Sequence, residues 1–308
     1  MNKPLFTNPL TAGDAPDPWM IYHQGWYYFT ATLNQKGLWV WKSRTLTGID
    51  RGQKVCVWEA PASGPQSRQI WAPELYNIRG RWYLYYTASD GTDANHRHYV
   101  LESATSDPLG RYVDKGRVDP EFNKYAIDGS ILEMPDGSLY FMYTTGSLHI
   151  APMKDPTTVS GPSVLLAKAT RDWEYGWLEA PQALVRDGRV FIVYSAGHSA
   201  KVDYRLGLLR WDPKRGSLLD TNAWIKHPDP VFEPYGAVYT TGHCSFTRSP
   251  DGNEDWLIYH AKDTTTYGFG GRTTRAQPFT WDAEGLPRFG RPVPPGVLMA
   301  LPSGQKEL

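Results

Sequence analysis

Five segments of the chain follow one plan, and this repetition restricts the fold more than any other feature. They are "PDPWMIYHQGWYYFTAT" from Pro16, "APELYNIRGRWYLYYTAS" from Ala72, "IDGSILEMPDGSLYFMYTT" from Ile127, "LEAPQALVRDGRVFIVYSAG" from Leu178 and "GHCSFTRSPDGNEDWLIYHAKD" from Gly242. Each contains an ionisable residue, a short strand, a turn and an aromatic-rich strand. The turns hold QG, RG, PDG, RDG and SPDG, whose Gly and Asp tolerate the backbone angles of a tight hairpin. A third strand follows in four units, at 38–46, 98–106, 148–153 and 205–212, and a weaker fourth is seen at 111–118. Repeats of about 50–60 residues with three or four strands each predict a β-propeller. The expectation is an all-β, five-bladed β-propeller forming a single domain over residues 1–308. A β-sandwich would not explain why the same polar lead-in recurs five times. The N-terminal strand is expected to join the last blade and close the ring.

Composition agrees with this plan. Aromatic residues make up 14% of the chain, with 13 Trp and 19 Tyr, which suits strands and flat sugar ligands. The net charge is zero, so electrostatics gives no reason to expect nucleic acid or an anionic membrane as a partner. No run of about 18 apolar residues predicts a membrane span. Cys56 and Cys244 are the two cysteines, too few for a disulfide framework or a metal-ligand spacing. With no apolar leader at the N-terminus, the expected location is cytoplasmic, or secreted if a leader has been trimmed.

The leading residues of the five units are Asp17, Glu74, Asp128, Glu179 and His243. In a propeller the first strand of each blade lies nearest the axis, so equivalent positions converge on one end of the channel. Four carboxylates in one pocket repel one another unless hydrated, paired or partly protonated. Such crowding drives pKa values apart and yields an acid and a base from one residue type. The plainer alternative is that these residues cap strand ends or bind channel water.

The motifs "APDPWMIYHQGWYYFTAT", "IWAPELYNIRGRWYLYYTASDG", "HRHYVLESATSDPLG", "YAIDGSILE", "LEAPQAL", "TTGHCSFTRSPDGNEDWLIYHA" and "TRAQPFTWDAEGLPRFGRP", in this order, resemble glycoside hydrolase family 43. The wording is most similar to its α-L-arabinofuranosidase branch. The resemblance implies an inverting, exo-acting enzyme on arabinose-containing oligosaccharides or polysaccharides, with β-D-xylosidase or β-D-galactofuranosidase as alternatives. A non-catalytic carbohydrate-binding propeller is the alternative of another class. Carried over by position, Asp17 is the general base, Glu179 the general acid and Asp128 the carboxylate that tunes the acid. Asp14 is the rival base, placed on a surface loop. Inversion implies an acid and base roughly 6.5–9.5 Å apart, with a water between them. Trp71 is expected to wall the sugar site, with Glu74 behind it and Arg275 at the pocket, Arg272 competing for that place. His96 and His98 are expected at a blade edge. His243 resembles an axial histidine that contacts a calcium ion through water; no cofactor is required.

Overall fold

The computed structural model describes residues 4–33, 36–118 and 124–306, and these are nearly all β-structure. Five antiparallel sheets stand round an axis. Blade 1 holds Trp19–His23, Trp26–Thr30, Gly37–Ser43 and Gln53–Glu59. Blade 2 holds Arg68–Ile78, Arg81–Ser89, Arg97–Ser103 and Tyr112–Arg117. Blade 3 holds Ile127–Glu133, Leu139–Thr144 and Leu148–Asp155, its outer edge split into Thr158–Val159 and Val164–Ala167. Blade 4 holds Leu178–Arg186, Arg189–Ala196, Arg205–Trp211 and Trp224–Lys226. Blade 5 holds Tyr239–Arg248, Asp255–Lys262, Thr273–Trp281 and Pro287–Arg288. The helical segments among the described residues are single 3₁₀ turns.

The aromatic second strands explain why the sheets stack. Alternate side chains of a strand point to opposite faces. In blade 1, Tyr28 enters the apolar seam with blade 2, while Tyr27 and Phe29 enter the seam with blade 5. In blade 2, Leu84 and Tyr86 face blade 1, while Tyr83 and Tyr85 face blade 3. The seams between blades 3 and 4 and between blades 4 and 5 complete the ring. Both faces of each second strand are therefore buried, and "WYYFT" or "RWYLYYTAS" reads as a continuous apolar run rather than an alternating one.

Ring closure differs from the expectation. Leu5–Phe6 pairs with Met299–Ala300 in a separate two-stranded ribbon and does not join blade 5. The chain after it does the sealing. Leu10 and Ala15 donate backbone N–H groups to the carbonyls of Thr274 and Arg272, at 2.8 and 2.9 Å. Asn8 bonds both backbone groups of Ala276 through its side chain, at 2.9 and 3.0 Å. This segment is not a regular strand, yet it occupies the exposed edge of the third strand of blade 5.

Candidate active site

At an equivalent place near the start of each inner strand a residue adopts a left-handed backbone: Asp17, Ala72, Asp128, Ala180 and His243, with φ of 57, 44, 57, 51 and 45°; blades 2 and 5 add a second, at Gln69 and Thr240. Such angles are costly for residues with a Cβ and persist only where the surroundings hold them. At the five equivalent places a side chain takes the amide. The N–H of Asp17 donates to His260 Nδ1 at 3.1 Å, that of Ala72 to Thr32 Oγ1 at 2.7 Å, and that of Asp128 to Thr87 Oγ1 at 3.1 Å. The N–H of Ala180 donates to Asp128 Oδ2 at 3.0 Å, and that of His243 to Ser195 Oγ at 2.8 Å. In every case the acceptor belongs to the preceding blade round the ring. Apart from Asp128, these acceptors were missed in the sequence. Their trace is the polar residue after the last aromatic of a second strand, as in "YTA", "YSA" and "YHA".

The bulges correct the alignment of the repeats. Blade 2 places Ala72 and blade 4 places Ala180 at the positions that Asp17, Asp128 and His243 fill in their blades. Glu179 is therefore one residue early and Glu74 two residues late. Asp17, Asp128, Glu179 and His243 still converge on one pocket of about 630 Å³, shared with Trp71, Tyr125, Trp177, His198, Phe269 and Arg272.

Glu74 lies below that pocket, buried to 3% exposure. Tyr76 donates to its Oε2 and Gln182 to its Oε1, and no arginine among the described residues reaches it. Burial pushes its pKa up to about 8 against these donors. A carboxyl raised this way is bound to a proton in the folded state and ionised in the unfolded one between the usual carboxylate value and about 8. Its contribution to stability falls as pH rises through that window, by at most about 1.4 kcal/mol per pH unit. Glu74→Gln keeps the shape and removes the proton, so its melting temperature should decline less between mildly acidic and mildly alkaline pH than the parent's. An equal decline in both would refute a protonated Glu74.

Asp17 is held the other way. Its burial opposes ionisation, but His243, Arg272 and His260 outweigh it and hold the carboxyl far below the usual range. His243 Nδ1 stands 3.2 Å and Arg272 Nη1 3.3 Å from Oδ1, while Thr32 donates to Oδ2 at 2.7 Å. Burial keeps His243 below its ordinary pKa and depresses His260 to about 3. Arg272 is thus the cation that persists beside Asp17 at neutral pH. Arg272→Met should move the acid limb of the kcat/KM profile to higher pH; an unmoved limb would show that another group sets it.

Asp128 and Glu179 are raised. Burial is the first cause for both; Glu179 and then Asp17 add repulsion at Asp128, and the N–H of Ala180 opposes it. Glu179 is fixed by two donors, Trp177 Nε1 to Oε2 at 2.7 Å and Tyr204 OH to Oε1 at 2.6 Å. Two interacting buried carboxyls titrate as a unit, and here they retain a proton that isolated carboxylates would have lost. Trp177 lies two residues before Glu179 and thus on the same side of the chain, a signal present in the sequence. Tyr204 had no such signal. It reaches Glu179 because Gly242 leaves room: a Cβ there would sit 2.3 Å from the Tyr204 ring.

The remaining expectations separate cleanly. Trp71 lines the pocket, with His96 stacked behind it at 4.0 Å and 26°. His96 and His98 are buried rather than at an edge, because His96 stacks on Trp71 and His98 packs edge-on against Phe141 and Tyr143 of blade 3. Asp14 is exposed and accepts the backbone N–H of Arg272 at 2.8 Å. Arg275 is not at the pocket. It is fully buried within the third strand of blade 5, paired with Asp263, and Arg272 holds the place foreseen for it. The described residues contain no group of three His, Cys, Asp or Glu side chains able to hold a metal ion. Calcium takes six to eight oxygen ligands, whereas His243 offers nitrogen and turns Nδ1 to Asp17. The donor set does not fit direct ligation of calcium.

Fold and site together define a five-bladed propeller with an acidic pocket on its axis, in which one carboxyl is held far below the usual range and two are raised above it. The chain belongs to the glycosyl hydrolases family 43, whose model matches residues 6–287. It is 35% identical over 95% of its length to an extracellular exo-α-(1→5)-L-arabinofuranosidase of Streptomyces avermitilis, of which it spans 64%, just under two thirds. An enzyme of the same description from Streptomyces chartreusis is 35% identical over 83% of the chain and 82% of that relative. Among solved structures, an α-L-arabinofuranosidase from Lactobacillus brevis superposes with a TM-score of 0.88 at 31% identity, covering 95% of this chain and 98% of the other. No helix of the described residues is long and apolar enough to cross a membrane.

Proposed function

We propose that the chain is an exo-acting α-L-arabinofuranosidase that releases terminal α-L-arabinofuranose from arabinan or arabino-oligosaccharides with inversion. The observation that carries this reading is the convergence of three carboxyls on one pocket, with Asp17 held below the usual range and Asp128 and Glu179 raised above it. The similarity to arabinofuranosidases named above supports the choice of sugar. In this reading residues 1–308 act as one catalytic domain, and no cofactor takes part in the bond-breaking step.

The chemistry follows from the charges. Asp17 accepts a proton from a water as that water's oxygen bonds to the anomeric carbon. Glu179 gives its proton to the glycosidic oxygen as the bond between that oxygen and the same carbon breaks. Attack and departure occur on opposite faces, so the configuration inverts. Asp17 then returns a proton to solvent, and Glu179 takes one up. Asp128 orients the acid through the N–H of Ala180, next in chain to Glu179, and its negative charge resists premature loss of the acid's proton. Trp71 offers the furanose ring a flat apolar face.

The test is an assay on nitrophenyl α-L-arabinofuranoside, β-D-xylopyranoside and β-D-galactofuranoside, with linear arabino-oligosaccharides beside them. Arabinose should leave one residue at a time, and NMR should detect the β anomer first. Xylose or galactose as the sole product would transfer the assignment to that sugar; no product from any substrate would refute it. The relatives described as extracellular fit secretion, and a cytoplasmic location is distinguished by fractionating the producing cells.

A further inference from the structure

The rim of the pocket across the axis from Trp71 takes no part in the reaction described above. It is built from blades 4 and 5. Tyr267 and Phe269, in the Gly-rich loop at 264–272, are 69 and 56% exposed. His198 of blade 4 lies 6.3 Å from the Tyr267 ring at 28°, and 5.4 Å from the Phe269 ring. His198 and Phe269 line the same pocket as Glu179. Large exposed rings beside a polar pocket are the kind of surface that marks a ligand site.

The loop is fastened at several points despite its glycines. Gly268 donates its N–H to the carbonyl of Ala200 at 3.0 Å, which joins the loop to the turn carrying His198. Lys262, buried to 3% exposure, spends its ammonium on the carbonyls of Thr266 and Gly268. Arg272 donates Nε to the carbonyl of Phe269 at 2.8 Å while Nη1 faces Asp17. A buried lysine and the arginine beside Asp17 are thus both committed to holding two aromatic rings in the open. A loop that served only as a connection would need neither.

We propose that Tyr267, Phe269 and His198 form the binding surface for the sugar residue on the leaving-group side of the scissile bond. This rests on the glycosidase reading above. If Glu179 of blade 4 protonates the oxygen between the two sugars, the departing residue lies on the blade 4 side, and Trp71 of blade 2 is left for the terminal sugar. The C–H face of a furanose stacks on aromatic rings as other flat apolar faces do. The surface selects saccharide leaving groups over small ones.

The experiment measures the ratio of kcat/KM for linear arabinotriose to that for methyl α-L-arabinofuranoside, whose leaving group is too small to reach the rim. In Tyr267→Ala combined with Phe269→Ala the ratio should fall about tenfold. Tyr267→Ala alone, which leaves the contact of Phe269 with Arg272 in place, should give part of that fall, and Tyr267→Phe should restore the ratio. Lys262→Met, which frees the loop but keeps both rings, should lower the ratio chiefly through KM for the triose. An unchanged ratio in the double variant, or equal losses on both substrates, would overturn the proposal. If the parent protein cleaves neither substrate, the glycosidase reading itself fails and takes this one with it.

Discussion

Glu179→Gln should lower kcat on arabino-oligosaccharides by about 10²–10⁴-fold, the usual worth of a positioned general acid. The loss should depend on the leaving group. An alkoxide departing from a sugar needs the proton, whereas nitrophenolate departs readily without it. Nitrophenyl arabinofuranoside should therefore lose much less rate than arabinobiose. The alkaline limb of the parent's profile reports the proton held by Asp128 and Glu179, and it should be absent from the residual activity of the variant. Equal losses on both substrates would remove Glu179 from the acid's role. The amide oxygen can still accept from Trp177, and its N–H can donate to the Tyr204 hydroxyl, which accepts as well as donates, so the pocket keeps its shape.

Asp17→Asn should cost a comparable factor, about 10²–10⁴-fold, with no such dependence on the leaving group. The carboxylate acts on water, and water is the same nucleophile for every substrate. The substitution also leaves Arg272 without its anionic partner in the pocket, so KM should shift along with kcat. A second reading of the same variant is its pH profile. The parent should stay active to low pH, since Asp17 remains ionised far below the usual carboxylate range. If Asp17→Asn and Glu179→Gln show the same leaving-group pattern, the division of labour between the two carboxyls is wrong.

The fold was legible because the seams are. Every second strand is buried on two faces, which leaves an aromatic run that repeats with the blade. The positions of Asp17, Asp128 and His243 followed from the same repeat, and Glu179, one residue early in it, still reaches the pocket. Glu74 did not, because a bulge shifts register by a residue or two and no residue type announces its place. Arg275 failed for a geometric reason. It sits in the third strand from the axis, and each strand step outward adds about 4.8 Å. Arg272, just before that strand, is carried to the pocket by the loop. The supports of the site were hidden for another reason: Tyr204 behind Glu179 and His96 behind Trp71 are contacts between elements distant in sequence. Their spacing in the chain carries no period to read.

The latches between blades give the pocket a property that no single blade has. The N–H of Asp17, from the first blade, is held by His260 of the last, and Arg272 of the last blade faces its carboxylate. The base is thus the clasp of the ring. A molecule whose first and last blades part loses the pairing that keeps Asp17 ionised before any blade need unfold. Catalytic rate is then a gauge of circular integrity, and under mild denaturant it should fade ahead of the tryptophan signal from the seams.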